Sequence, residues 1–147
     1  MEIDLAVLAD AANVTADNKV NLMGIFRNLA TPVMPVLLPS FYLALTFTVE
    51  ENELDTVHNF NILFKNSNNE ILQEVGKGEF RIGAQNNYNY PMLNLLIAIS
   101  NFQMAEYGTY WFEIIFDGEL FRKIPLLVTN VVTNTPSTQQ RLLNQPK

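Results

Sequence analysis

Few residues in this sequence could carry acid–base, nucleophilic or metal chemistry. His58 is the only histidine and there is no cysteine, so carboxylates alone could share a metal with that imidazole. No serine stands in a Gly-x-Ser-x-Gly elbow, and no glycine-rich loop precedes a helix, so the local signatures of hydrolysis and phosphate binding are missing. We therefore expect no enzyme, no catalytic residue, no metal and no cofactor, and we interpret His58 as a structural histidine at a strand start.

Carboxylates cluster in the segment from Glu50 to Asp55. Calcium needs six to eight oxygens, usually from several loops, so Asp10, Asp17 or Asp117 would have to lie at the same end of the domain. We favour the other interpretation, a solvated hairpin tip that keeps a strand edge soluble. Glu113 and Asp117 are spaced by four along a strand and give no specific sign of glycoside hydrolysis.

Asp10 ends an apolar run and precedes two alanines, so we expect its side chain to be half-buried. A buried carboxylate requires hydrogen-bond donors. Backbone N–H groups at the strand end would supply them in the structural interpretation, which we favour. The functional interpretation is a carboxylate that contacts a ligand.

Composition limits the class of protein. The chain has 147 residues, of which 48% are hydrophobic, enough for one domain with a continuous core. Its net charge is −6 with only nine Lys and Arg, which argues against nucleic-acid binding. The apolar stretch Leu5 to Ala9 has acidic flanks, and no run approaches the roughly 20 apolar residues of a membrane span. We expect a cytoplasmic protein with neither a signal peptide nor a membrane partner.

The elements that would position these residues are strands, because apolar residues recur with a period of two. The predicted strands cover residues 3–9, 20–27, 41–49, 58–65, 71–75, 78–82, 93–99, 110–116 and 120–128. Polar turns separate them, and Asp117-Gly118 is a strong hairpin signal. Eight or nine short strands predict an all-β sandwich or barrel. We assign residues 1–128 to one domain and residues 129–147 to a polar, flexible tail.

One pattern favours the sandwich. Glu106 to Phe112 reads acid-x-Gly-x-Tyr-x-apolar, which matches the tyrosine corner of immunoglobulin domains, with Tyr110 as the residue whose hydroxyl returns to the backbone upstream. Phe112 stands where antibody domains carry their second cysteine, so apolar packing must replace the disulfide. The sequence therefore predicts an immunoglobulin-like antiparallel β-sandwich of about eight strands.

Both ends of the chain resemble a known group of proteins. The opening Leu8-Ala9-Asp10-Ala11-Ala12-Asn13 and Asn21-Leu22-Met23-Gly24-Ile25-Phe26, with the closing Gly108-x-Tyr110-x-Phe112-x-Ile114, resemble a family of small uncharacterised bacterial β-sandwich proteins. The resemblance implies a bacterial or phage origin, a compact sandwich and structural roles for Asp10 and Gly24. That family has no assigned activity, so no functional residue is carried over.

The segment Ala30 to Pro39 is apolar but contains three prolines, so it is no central strand. We favour a crossover that buries Val33, Val36 and Leu38 over the open end of the core.

If Met34 and Leu37 instead remain exposed, they form an apolar patch suited to a protein partner or a second copy of the chain, together with Trp111. Our leading hypothesis is accordingly a non-catalytic protein-interaction or oligomerisation module.

The alternative is a protein that binds a small polar ligand through the Asn- and Tyr-rich loop 84–90. The ligand would be bound by the phenols of Tyr88 and Tyr90 and by the neighbouring amides, as in antibody loops. Asp10 is a further candidate contact.

Overall fold

The computed structural model describes residues 1–83 and 91–131. The described chain forms eleven strands and a single 3₁₀ turn at Glu51–Glu53. The strands are β1 (Glu2–Val14), β2 (Val20–Phe26), β3 (Asn28–Thr31), β4 (Val36–Leu38), β5 (Phe41–Thr48), β6 (Val57–Lys65), β7 (Ile71–Arg81), β8 (Met92–Ile99), β9 (Phe102–Met104), β10 (Gly108–Phe116) and β11 (Glu119–Asn130).

The strands form two main sheets that pack face to face. One has the order β2-β1-β5-β8, the other β3-β11-β10-β6-β7, and β4 pairs with β9 separately. The described pairs are antiparallel except for β3 and β11, which run parallel. The predicted all-β sandwich is confirmed, with more strands than expected. The predicted strands 71–75 and 78–82 are one strand, β7, while β3, β4 and β9 have only three or four residues, too few for a visible alternation.

The core lies between the two sheets and is rich in aromatic rings. Alternate residues of β5 point inward, and Phe41 and Phe47 meet Phe112 and Phe116 of β10 with ring centroids 6.3 and 4.7 Å apart. Phe112 is fully buried and also packs on Phe64. The expectation that apolar packing joins the sheets at Phe112 is confirmed.

The proline-containing segment closes one end of this core. Met34, Val36 and Leu38 are spaced by two and face the core, with Leu38 buried and the other two packed against it. Val33 and Leu37 lie on the other side of the segment and are 62% and 61% exposed. The crossover is therefore confirmed, but the predicted burial of Val33 is wrong because only alternate side chains of an extended segment share a face.

Tyr110 anchors the turn that leads into β10. Its hydroxyl donates a hydrogen bond of 2.6 Å to the backbone oxygen of Glu106, and its ring stacks on Phe64 at 5.2 Å. The hydroxyl of Tyr110 thus holds the turn, while its ring packs in the core.

The hairpin of β1 and β2 folds back over the outer face of its own sheet. Asn94 of β8 donates to the backbone and side-chain oxygens of Asn18 at 3.1 and 3.0 Å, and Asn18 donates to the Met92 oxygen at 3.3 Å. In the sheet, β2 and β8 are the two opposite edges, so the hairpin turn reaches β8 only by crossing the face. Ala44 and Thr46, on the outward side of β5, are correspondingly buried.

Asp10 and Gly24 meet at the point where the hairpin leaves the sheet. Gly24 has a φ of +65°, and a Cβ atom there would lie 2.3 Å from Oδ2 of Asp10. Asp10 itself is exposed, so the expected half-burial is wrong. The reason is that β1 pairs with β5 only as far as Ala9, and beyond it only with β2 among the described strands.

We expect Gly24→Ala to destabilise the protein by at least about 1–3 kcal/mol, because a positive φ strains any residue with a Cβ atom and the methyl group displaces Asp10. The Asp10→Ala background removes the two shortest contacts, to Oδ2 and Cγ of Asp10, and should lower the cost of Gly24→Ala. Denaturant unfolding of the two single variants and the double variant measures this coupling.

Gly83→Ala is the matched control, because a Cβ atom there meets nothing within 4 Å. An equal loss of stability from Gly24→Ala with and without Asp10 would show that the carboxylate does not restrict this position.

Candidate functional site

The edges of the five-stranded sheet are protected against the addition of another strand. β3 is only four residues long and is followed by Pro32. β7 carries Glu74, Lys77, Glu79 and Arg81, and its pairing with β6 contains two register shifts. Short strands, charges and bulges are the features with which proteins block edge-to-edge association.

The outer edge of the four-stranded sheet lacks charge and proline at β2, where the backbone is irregular only at Gly24, which has a φ of +65°. The sequence of β2, Val-Asn-Leu-Met-Gly-Ile-Phe, contains no charged residue or proline, and among the described strands β2 pairs only with β1. Met23 and Ile25 are 71% and 57% exposed. We call residues Val20–Phe26 the β2 edge, and it combines outward backbone groups, which no described strand pairs, with exposed apolar side chains.

The register of the hairpin explains which side chains the β2 edge presents. Ala12 lies opposite Leu22, and this half-buried pair belongs to the face turned towards the sheet. Ala11 lies opposite Met23, and both belong to the exposed face. The exposure of Met23 therefore follows from strand alternation on a folded-back hairpin.

The opposite edge, β8, is also uncharged but is less exposed. Leu93 to Ile97 are half-buried, and the carbonyl of Met92 accepts the hydrogen bond from Asn18. The hairpin turn therefore contacts the start of β8, whereas no described strand pairs with the outer side of the β2 edge.

The structure separates the three residues that we expected to bind a partner. Met34 faces the core and Leu37 faces solvent, on opposite sides of one segment. Trp111 is half-buried on the outer face of the five-stranded sheet, between Lys65 and Pro125. The sequence analysis missed the β2 edge, although the absence of charge from residue 20 to residue 26 was the signal that could have found it.

The expected ligand contacts are not brought together either. Tyr88, Tyr90 and the rest of the 84–90 loop lie outside the described residues, so that site stays a prediction. Asp10 is exposed beside Gly24 in the hairpin.

Glu113 is a buried carboxylate on the outer face beside Trp111. Its two oxygens lie 2.5 Å from Nζ of Lys65 and 2.6 Å from Nζ of Lys123. Burial raises the pKa of Glu113, but the hydrogen bonds from the two ammonium groups outweigh this effect and hold the pKa below its usual range. The carboxylate is therefore ionised and fully engaged, which does not suit a proton donor.

His58 is a further buried ionisable group, and it links β6 to the turn between β10 and β11. Its Nδ1 lies 2.8 Å from Oδ2 of Asp117, while its Nε2 lies 2.8 Å from the Thr56 hydroxyl and 3.1 Å from the backbone oxygen of Glu53. Oδ1 of Asp117 accepts a further bond of 2.8 Å from the Asn59 amide. The sequence placed His58 near a strand start but did not reveal its partners.

Thr56, His58 and Asp117 are arranged in the order of a hydrolytic triad, but the directions of their hydrogen bonds do not allow His58 to activate the Thr56 hydroxyl. The Thr56 hydroxyl donates its proton to the Glu53 oxygen at 2.7 Å, so it receives a proton from His58 instead of giving one. The neighbours of His58 are thus acceptors on both nitrogens. This environment favours the imidazolium, which is unable to act as a general base, and supports a structural role.

The acidic segment at residues 50–55 forms the 3₁₀ turn next to this histidine, with Glu53 bonded to the backbone of Glu50. Within residues 1–83 and 91–131, no group of three or more His, Cys, Asp or Glu side chains comes together as a metal site. The same part of the chain holds no helix of the length and apolarity that crossing a membrane requires.

The His58–Asp117 contact predicts a pH dependence of stability. The hydrogen bond that His58 donates to Asp117 raises the pKa of His58 above its usual value, despite burial, which lowers it. The stabilisation is therefore complete below the usual histidine pKa of about 6.5 and is lost as the pH rises through the raised pKa. For Asp117 the hydrogen bond from His58 lowers the pKa, so its contribution is lost only as the pH falls through that lowered value.

We therefore expect the free energy of unfolding to be highest between about pH 4 and pH 6.5 and to fall towards pH 8.5. The decrease above about pH 6.5 should be absent from His58→Gln, which keeps a polar side chain but does not titrate. Urea unfolding of both proteins across this range tests the assignment, and an equal slope in the variant would contradict it.

Comparison with known proteins identifies a family. No curated protein and no solved structure matches the chain. A family model, described as a family of unknown function, matches residues 4–129, a range that runs from β1 through nearly all of β11. The chain therefore belongs to this family of unknown function (DUF6941).

Proposed function

We propose that the protein is a non-catalytic interaction module that self-associates through the β2 edge. One observation carries the proposal. The β2 edge is an uncharged strand with Met23 71% exposed and Ile25 57% exposed, whereas the other main sheet ends in a short strand and in a charged, bulged one. An unprotected apolar edge is a template for the addition of a strand.

The partner that fits this edge is a second copy of the chain. The protein has a net charge of −6, so most contacts between two copies would bring like charges together. The β2 edge contains no charged residue, so two copies can meet there without that repulsion. Closed two-fold contact between identical patches is also the commonest form of protein self-association.

An antiparallel pairing of two β2 strands supplies the geometry. A two-fold axis near Leu22 and Met23, in the middle of the seven-residue strand, would place each Met23 close to its symmetry mate. Backbone hydrogen bonds would then join the two folded-back hairpins across the axis, and the exposed apolar side chains would be removed from water at about 25 cal/mol per Å². Leu37 and Trp111 lie on other surfaces and remain separate candidates for partner contact.

We also propose that the sandwich is immunoglobulin-like. The order β11-β10-β6-β7 follows the G-F-C-C′ sheet of variable-type domains, and β5 and β8 of the facing sheet take the places of strands B and E. The Tyr110 hydroxyl bonded to the Glu106 oxygen supports the same assignment. The β1–β2 hairpin that bears the proposed contact is then an addition to the common pattern.

We expect Met23→Lys to convert the dimer to a monomer. A lysine on an edge strand opposes pairing, and in a two-fold contact the two added charges face one another, so the dissociation constant should rise at least about a hundredfold. Sedimentation equilibrium or native mass spectrometry measures the change. Met23 is exposed in the single chain, so thermal unfolding of the variant should match that of the wild type diluted until its dimer dissociates.

Two control variants locate the contact. Leu120→Lys adds the same charge at another exposed apolar residue, 52% exposed, and should leave the dimer intact. Ala98→Lys places the charge on β8 and should also have no effect. A monomeric wild type, or dissociation by Ala98→Lys but not by Met23→Lys, would overturn the proposal.

A further inference from the structure

The outer face of the paired strands β4 and β9, at one end of the sandwich, is apolar and exposed. Alternate side chains of the proline-containing segment turn away from the core, and on this side Leu37 lies opposite Gln103. Val33 and Leu37 are 62% and 61% exposed. We call the exposed, uncharged residues of this face the end patch, and they are Val33, Pro35, Leu37, Gln103, Ala105 and Tyr107. Exposed apolar patches mark sites of interaction, whereas single exposed residues do not.

The chain leaves the described structure beside the end patch. The Thr31 carbonyl accepts hydrogen bonds from the Tyr107 hydroxyl at 3.0 Å and from the Val131 amide at 3.3 Å. Val131 is the last residue that the structure describes, and Val33 follows Thr31 by two positions. The sequence beyond Val131 therefore starts next to the patch.

Residues 132–147 combine an apolar pair with positive charge. Leu142 and Leu143 are the largest apolar side chains of this stretch, and its charged side chains, Arg141 and Lys147, are both basic. All 15 acidic residues of the chain precede it. The stretch therefore carries a charge opposite to that of the rest of the protein, which favours its association with the domain.

The leucine pair is close enough in sequence to reach the end patch. Leu142 follows Val131 by 11 positions, and a chain of that length spans up to roughly 36 Å. Val33 and Leu37 are four positions apart, a span of at most roughly 14 Å. A group attached through so short a linker has an effective concentration in the millimolar range, which a separate partner would have to match from solution.

We propose that Leu142 and Leu143 dock on the end patch of their own chain. The two leucines would cover Val33, Leu37 and the ring of Tyr107, so that apolar surface is removed from water on both sides of the contact. The docked segment leaves the β2 edge free for the self-association proposed above.

The positions of two charged residues agree with this contact. Arg141 directly precedes Leu142, and the exposed Glu106 directly precedes Tyr107. With the leucines on the patch, Arg141 and Glu106 come within reach of an ion pair at its margin. An exposed pair of this kind adds little affinity, so the leucines carry the contact and the charges orient it.

A nitroxide spin label at Asn144→Cys tests the contact in the full chain, because the chain itself contains no cysteine. The label should broaden the amide resonances of Leu37, Gln103 and Tyr107. Leu142→Gln/Leu143→Gln in the labelled chain should lower the equilibrium constant for docking at least about tenfold, because the apolar contact is lost. The broadening at the patch should decrease accordingly.

Two control variants identify the groups that make the contact. Gln139→Ser/Gln140→Ser changes two polar residues of the same stretch and should leave the broadening as it is. Leu37→Gln changes an exposed side chain of the patch and should reduce the broadening as the leucine variant does. Equal broadening with and without the leucines would overturn the proposal, since the nearby point of attachment would then explain it.

A mixed sample distinguishes docking within one chain from docking between two copies. Spin-labelled chain without isotope is mixed with isotope-labelled chain without the spin label. Both carry Met23→Lys, which removes the proposed dimer contact, so the outcome is independent of self-association through β2. We expect no broadening at the patch of the isotope-labelled chain. Broadening there would show that the patch binds the leucines of a second copy, and the proposal would be wrong.

Discussion

Contact between aromatic rings of the two facing sheets is the interaction on which the rest of the structure depends. Phe112 packs on Phe41 across the sandwich and on Phe64 and Phe102 at its end. Burying one phenylalanine contributes about 1.5–3 kcal/mol and each ring pair about 0.5–1.5 kcal/mol more. Together these terms match or exceed the roughly 2–4 kcal/mol of a disulfide. The chain contains no cysteine, and this cluster holds the sheets together in its place.

The strand that carries Phe112 also organises the two ends of the sandwich. At the start of β10, the Tyr110 hydroxyl fixes the preceding turn, and its ring stacks on Phe64 in the core. Just beyond the end of β10, Asp117 binds His58 and the Asn59 amide. Both polar contacts sit beside the aromatic core, where an unpaired donor or charge would be costly. The strand β10 therefore connects both ends of the sandwich to the core, and the end at His58 is sensitive to pH.

The sequence predicted much of the fold because strand alternation and turn chemistry are local properties. Asp117 and Gly118 adopt the positive φ angles, 48° and 83°, that a tight hairpin requires, and the role of Phe112 followed from a pattern of seven residues. The partners of His58 were not predictable, since Asp117 is 59 positions away and joins it only through the pairing of β6 with β10. The exposure of Met23 was equally hidden. It depends on the folding back of the hairpin. Hydrogen bonds between Asn18, in the β1–β2 turn, and Asn94, in β8, hold the hairpin in this position.

The folded-back hairpin explains why one edge of the sandwich is free for association. Packing the hairpin against the outer face of its sheet covers Ala44 and Thr46, so the apolar surface there is satisfied within the chain. The same packing leaves β2 without an outer neighbour among the described strands. An edge strand kept only for stability would gain from a lysine or a proline, which protects against aggregation at little cost. β2 has neither, whereas β7 carries four charged residues. One sheet has protected edges, β3 and β7, and the other has an unpaired edge, β2. This difference is expected if the β2 edge binds a partner.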